Sequence, residues 1–208
     1  MNPETMTLAT APADVEAVIA ETLRHIAVAV PDFAAVERAA WADGTRRRPV
    51  TPAALPVITH LPACLAAAPE STRAPVAALA HSAHGLAWRR TYAAGSLKEA
   101  FLENYGWSEL VGLTGPVPAT TVAVGFLVLG PHLEYPPHHH EARERYLPLA
   151  GRAAWWQPES GWRTVVPGET VLHERWVPHA MRTDGEPLLA LYLWESENLA
   201  QSARLIAA

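Results

Sequence analysis

The chain has 208 residues, of which 50% are hydrophobic and 18% charged. That is enough apolar material for one full core with an added helical piece, and it excludes an intrinsically disordered chain. The net charge of −5, with 21 acidic against 16 basic residues, argues against a nucleic-acid partner, because neutralising phosphates takes clustered Lys and Arg.

Residues 1–13 show no periodicity. From Asp14, in an N-cap position, Val15, Val18, Ile19, Leu23 and Ile26 recur at three- and four-residue intervals and predict a helix that stops near Pro31. A second helix opens at Asp32, groups Phe33, Val36, Ala40 and Trp41, and ends before Gly44. The basic run Arg46-Arg47-Arg48 reads as a solvated turn ahead of Pro49. Residues 49–75 are rich in Pro and Ala and read as irregular chain with a short helix at 63–68; Pro52, Pro56 and Pro62 break the longest uncharged stretch too often for a membrane span. With no basic and apolar leader after Met1, the expected location is cytoplasmic, with no membrane partner.

Cys64, the single cysteine, excludes an internal disulfide framework and reads as a buried, unreactive thiol. Val76, Leu79, Ala83, Leu86 and Trp88 form a further amphipathic stretch. Its His81 and His84, without a neighbouring carboxylate, read as helix-surface or core polar groups and not as metal ligands. Another helix is expected over 97–105. At about Gly106 the pattern changes: apolar runs at 120–129, 145–150, 152–157, 162–166, 169–173, 178–183 and 187–194 alternate with turn signals, the spacing of an all-β sandwich or barrel. The expected organisation is a helical N-terminal extension over 1–105 packed on a β-barrel over 106–208. The helices then either cap the barrel mouth or form a homodimer interface.

The chemistry concentrates in His138-His139-His140-Glu141-Ala142-Arg143-Glu144-Arg145-Tyr146. Taken as one extended strand, its side chains alternate faces, so His138, His140, Glu144 and Tyr146 share one side. Two imidazoles and a carboxylate are ligands that first-row divalent metals accept. A further ligand must come from elsewhere. His179, directly after Pro178, is favoured over His173, which shares its parity and is a second candidate for the same cavity.

The string His138-x-His140-x-x-x-Glu144 with Gly151, followed by Pro167-Gly168-Glu169 and Val177-Pro178-His179, resembles the two motifs of the cupin superfamily. The resemblance implies a mainly β chain with α, a double-stranded β-helix barrel preceded by an N-terminal helical region. It also implies that His138, His140, Glu144 and His179 surround one divalent transition metal, which could be Fe(II), Mn(II), Zn(II), Co(II) or Ni(II). Two positions depart from the pattern: Gly130 lies two residues early, and Thr183 stands where the second motif ends in Asn.

Within that superfamily, the segments Gly130 to His138, Glu144 to Gly151 and His173 to Thr183 resemble the cupin-type dimethylsulfoniopropionate lyases. The likeness extends over about residues 101–195. It implies β-elimination of a zwitterionic sulfonium carboxylate to dimethyl sulfide and acrylate, with Tyr146 as base and Tyr135 as a second catalytic or substrate-facing phenol. Aromatic faces attract a sulfonium cation, so Trp155, Tyr192 and Trp194, together with His173, are the further candidates for substrate contact. Two other readings use the same ligands: a cupin dioxygenase or isomerase acting on another small carboxylate, in which Tyr146 is an ordinary barrel residue, and a non-catalytic effector-binding sensor.

Overall fold

The computed structural model describes residues 13–33 and 47–206. The expected second helix falls almost wholly outside them, as do residues 1–12. Helix α1 (Ala13–Ala29) buries Val15, Val18, Ile19 and Ile26, the face that the periodicity predicts. After a 3-10 turn at Pro56–His60 come α2 (Leu61–Ala67) and α3 (Glu70–Ser82). Helix α3 starts well before the expected Val76 and carries Pro75 inside it. The ring removes one backbone hydrogen bond, and burial of Thr72, Val76 and Leu79 offsets that loss. Thr72 also donates its hydroxyl to the Leu149 carbonyl at 2.6 Å, tying the helix to the barrel. Helix α4 (Glu99–Glu103) ends short of Tyr105, which already begins a strand.

Twelve strands follow in order among the described residues: β1 (Trp88–Arg89), β2 (Tyr105–Gly112), β3 (Val117–Pro118), β4 (Val122–Leu129), β5 (Glu134–His139), β6 (Arg143–Ala150), β7 (Ala153–Gln157), β8 (Gly161–Val165), β9 (Val171–His173), β10 (His179–Thr183), β11 (Leu188–Glu195) and β12 (Arg204–Leu205). One sheet has the order β1-β2-β4-β11-β6-β9 with β3 beside β2, and the other β12-β5-β10-β7-β8. From β4 to β7 the chain crosses between the two sheets at every step, and it crosses again at β9, β10 and β11. That winding is the expected double-stranded β-helix barrel of the cupin fold.

Strands β4 and β11 read as unbroken apolar runs because both of their faces are buried. Val124, Phe126, Val128, Leu189, Leu191 and Leu193 join one cluster with Val18, Ile26 and Leu79 of the helices. Ala123, Leu127, Leu129, Leu188 and Ala190 point the other way, into the barrel. Cys64 sits in the helix-side cluster with no exposure, and burial pushes its thiol up to about 12. His81 and His84 lie on the surface as expected. The reading of the basic run as a solvated turn does not hold for its described members: Arg47 pairs with Glu16 at 2.7 Å, and Arg48 donates to the Leu113 carbonyl.

Residues 138–146 are not one strand. The chain leaves β5 after His139, turns through 140–142, and enters β6 at Arg143 in the opposite sheet. The turn is held from both sides, by the contact of His140 Nδ1 with the Ala142 carbonyl at 2.9 Å and by the Trp176 N–H, which donates to the His140 carbonyl at 2.8 Å. The two motif departures meet one another: the Thr183 hydroxyl donates to the Gly130 carbonyl at 2.6 Å and accepts from the Leu133 N–H at 3.1 Å, fixing the approach to β5. No described helix is long and apolar enough to cross a membrane.

Candidate functional site

Facing strands of the two sheets bring the site together. His138 on β5 is opposite His179 on β10. On the other sheet Glu144 lies between Trp194 and His173, and Tyr146 between Tyr192 and Val171. His138, His140, Glu144, His173 and His179 are all at most 2% exposed. Ligand atoms of His140, Glu144 and His179 lie within 4.8 Å of one another, close enough to hold one metal ion. His140 Nε2 is 3.0 Å and His179 Nε2 3.4 Å from Glu144 Oε2.

The tautomers indicate what this cluster is built to hold. Nδ1 of His138, His140 and His179 each rests 2.8 to 2.9 Å from a main-chain carbonyl, those of Pro136, Ala142 and Val177. A carbonyl only accepts, so in the neutral ring Nδ1 carries the proton and Nε2 presents a lone pair. His140 and His179 then turn lone pairs toward a carboxylate, and the buried His179 Nε2 has no hydrogen-bond partner. Acceptors facing acceptors repel unless a cation stands between them, so the donor set fits a divalent metal. Burial, reinforced by His179, holds His138 well below 6.5 and therefore neutral.

His138 stands beside the close trio. Its ring stacks on Tyr135 at 3.9 Å and meets His179 edge-on at 4.2 Å. His173 has the opposite tautomer. Gln157 Nε2 is oriented by the Leu172 carbonyl at 2.6 Å and donates to His173 Nδ1 at 2.6 Å, which leaves the ring proton on Nε2. His173 stacks beneath His179 at 3.9 Å, and Trp155 packs behind Tyr146 at 4.8 Å. Neither His173 nor Trp155 is among the residues that line the cavity described next. Both fill the barrel behind the ligands.

A cavity of about 180 Å³ opens onto His138, His140 and Glu144, and Tyr135, Tyr146, Tyr192 and Trp194 stand in its wall. Gly125 makes room for Tyr192, since a Cβ there would lie 2.5 Å from the phenol oxygen and 2.1 Å from the Ser108 carbonyl. Sequence reasoning missed Arg90, Tyr105 and Trp107, which line the same cavity. These residues belong to β2 and to the chain just after β1, and only the pairing of those strands places them. Tyr105 hydrogen-bonds Thr91 at 2.8 Å, and the Tyr135 hydroxyl reaches Tyr92 at 3.0 Å. Burial and then the Glu144 charge push the Tyr146 phenol well above its ordinary value. Burial and then Tyr105 do the same to Tyr135.

Trp194 does more than line the wall, because its indole N–H donates to Glu144 Oε1 at 2.6 Å and orients the carboxylate. Trp194→Phe is expected to weaken metal affinity roughly 10- to 100-fold, the usual cost of losing a partner that orients a ligand. Competition against a chromophoric chelator measures this, and unchanged affinity would remove Trp194 from that role.

The family model for dimethylsulfoniopropionate lyase matches residues 33–190, more than half of the chain. The dimethylsulfoniopropionate lyase DddQ of Ruegeria pomeroyi is 34% identical over 160 residues, covering 74% of this chain and 77% of that protein. Among solved structures, a chain from the crystal structures of the lyases RdDddP and RnDddQII superposes with a TM-score of 0.80 at 30% identity, covering 95% of this chain and 100% of its own. The crystal structure of DddQ from Ruegeria pomeroyi DSS-3 gives a TM-score of 0.73 at 27% identity, with coverages of 88% and 96%.

Proposed function

This chain belongs to the dimethylsulfoniopropionate lyase family, and we propose that it is a metal-dependent carbon–sulfur lyase that converts dimethylsulfoniopropionate to dimethyl sulfide and acrylate. The observation that carries the metal part of this reading is the convergence of imidazole lone pairs on one buried carboxylate, with the buried His179 Nε2 left unpartnered, beside a small aromatic cavity. His140, Glu144 and His179 would hold the ion, with His138 beside them to complete the set. A divalent ion there supplies a Lewis acid for the substrate carboxylate and a positive charge that offsets Glu144 and favours the Tyr146 phenolate.

The remaining work falls to the protein's own side chains. The Tyr146 oxygen takes the proton from the carbon beside the substrate carboxylate. The electron pair released forms the double bond of acrylate, the bond from the β-carbon to sulfur breaks, and its pair leaves on neutral dimethyl sulfide. Before that step sulfur is cationic, and the faces of Trp107, Tyr192 and Trp194 attract it, each by roughly 0.5 to 2 kcal/mol. Tyr135 stacks on His138 and offers a second phenol to the bound substrate. Enclosure by these rings keeps water from the base and strengthens the electrostatics at the reacting carbon.

Headspace gas chromatography after mixing metal-loaded protein with dimethylsulfoniopropionate tests the proposal. Dimethyl sulfide should be released, and a chelated control should release none. A protein with a filled metal site and no release would point to one of the other cupin chemistries or to a sensor.

A further inference from the structure

Tyr135 sits at the centre of a cluster of hydroxyls drawn from distant stretches of chain. Its oxygen is 3.0 Å from the Tyr92 hydroxyl and 3.4 Å from that of Tyr105. Tyr105 in turn is 2.8 Å from the Thr91 hydroxyl, which accepts the Trp107 indole N–H at 3.1 Å. Ring contacts hold the arrangement: Tyr135 meets Tyr92 edge-on at 5.9 Å and Tyr105 at 5.0 Å, and it stacks on His138 at 3.9 Å. Thr91, Tyr105 and Tyr135 line the cavity, whereas Tyr92 is not among its lining residues.

Proton counting gives this cluster a direction. A phenol has one proton, so with two hydroxyl neighbours Tyr135 accepts from at least one of them. An indole N–H can only donate, and it fills one acceptor position of the Thr91 oxygen. The Thr91 proton is then free for Tyr105, and the Tyr105 proton for Tyr135. Tyr92 makes no other hydrogen bond among the described residues, so Tyr135 is the protein group that its proton reaches. In this polarity every hydroxyl behind Tyr135 donates once, and the Tyr135 proton is left for a group in the cavity. A phenol that accepts two hydrogen bonds is polarised by them and donates more strongly.

We propose that Tyr92 is a positioning residue that, without lining the cavity, fixes Tyr135 as a hydrogen-bond donor to the substrate carboxylate. This rests on the lyase reading, in which that carboxylate gains negative charge as the proton on the carbon beside it is removed. A stronger donor then favours the transition state more than the bound substrate, so most of what Tyr92 supplies appears in kcat.

Tyr92→Phe deletes one half-buried oxygen and keeps the ring, and a double-mutant cycle with Tyr135→Phe reads whether its effect passes through Tyr135. On metal-loaded protein, Tyr92→Phe should lower kcat for dimethyl sulfide release roughly fivefold and raise KM about twofold, together the worth of one hydrogen bond. Calorimetric binding of acrylate, a carboxylate that needs no turnover, should weaken by about the same factor as KM. In the Tyr135→Phe background, Tyr92→Phe should change neither release nor acrylate affinity. An unchanged Tyr92→Phe protein would overturn the proposal, and so would losses of equal size in the Tyr135→Phe background, which a merely structural role would give. Release without coupling between the two tyrosines removes the Tyr92 role alone. Coupling in acrylate affinity without release removes the lyase reading and keeps Tyr92 as a positioning residue for a carboxylate site, whereas protein that neither releases dimethyl sulfide nor binds acrylate removes both.

Discussion

Tyr146→Phe should lower kcat for dimethyl sulfide release by roughly two to four orders of magnitude, the usual contribution of a positioned general base, while metal content stays at the wild-type level. The substitution deletes one oxygen from a ring that is 3% exposed and packed on Trp155 and His173, so the fold has little reason to respond. The same oxygen is where the chemistry is most demanding. Without a bound cation, burial and the Glu144 carboxylate keep the phenol protonated well above pH 10. A base at this position therefore works only where a second positive charge is present, and the activity of Tyr146 and the occupancy of the ligand trio should rise together as metal is titrated in. Full release by the Phe variant would assign the proton transfer to another group. Loss of metal along with activity would mean that the phenol acts as a ligand and not as the base.

The strand positions were legible in the sequence, because turn residues such as Gly151 leave a physical mark: at φ 77° its missing side chain admits the Pro187 carbonyl, which would lie 2.0 Å from a Cβ. Three ligand candidates were also legible, through an argument whose geometry was wrong. Reading His138 to Tyr146 as one strand put His138, His140, Glu144 and Tyr146 on one face, and they do converge, although β5 and β6 belong to opposite sheets. They meet because the inner faces of both sheets look into the same barrel, so inward-facing residues on either side of the turn end up together. Parity could not separate His173 from His179. That distinction lies in the Gln157 amide, sixteen residues before His173, which fixes the tautomer. Arg90, Tyr105 and Trp107 carried no local signal, since nothing near them in sequence says that β1 and β2 extend the barrel sheet.

Glu144→Gln should abolish metal-dependent stabilisation while leaving the metal-free protein at least as stable as the wild type. In the wild type, an ion present at a hundred times its Kd stabilises the fold by about 2.7 kcal/mol, which for a chain of this size raises Tm by roughly 5 to 10 °C. A glutamine keeps the shape of the carboxylate. Its amide oxygen can still accept from Trp194 at the 2.6 Å position, and its amide nitrogen, 3.0 Å from His140 Nε2, donates to the lone pair that the carboxylate repels. The metal-free variant thereby gains a hydrogen bond where the wild type has two opposed acceptors. Scanning calorimetry of both proteins, chelated and metal-loaded, at neutral pH measures both effects. A Tm rise with metal that survives in Glu144→Gln would take the carboxylate out of the ligand set, and the lone pairs that His140 and His179 turn toward it would then need a different cause.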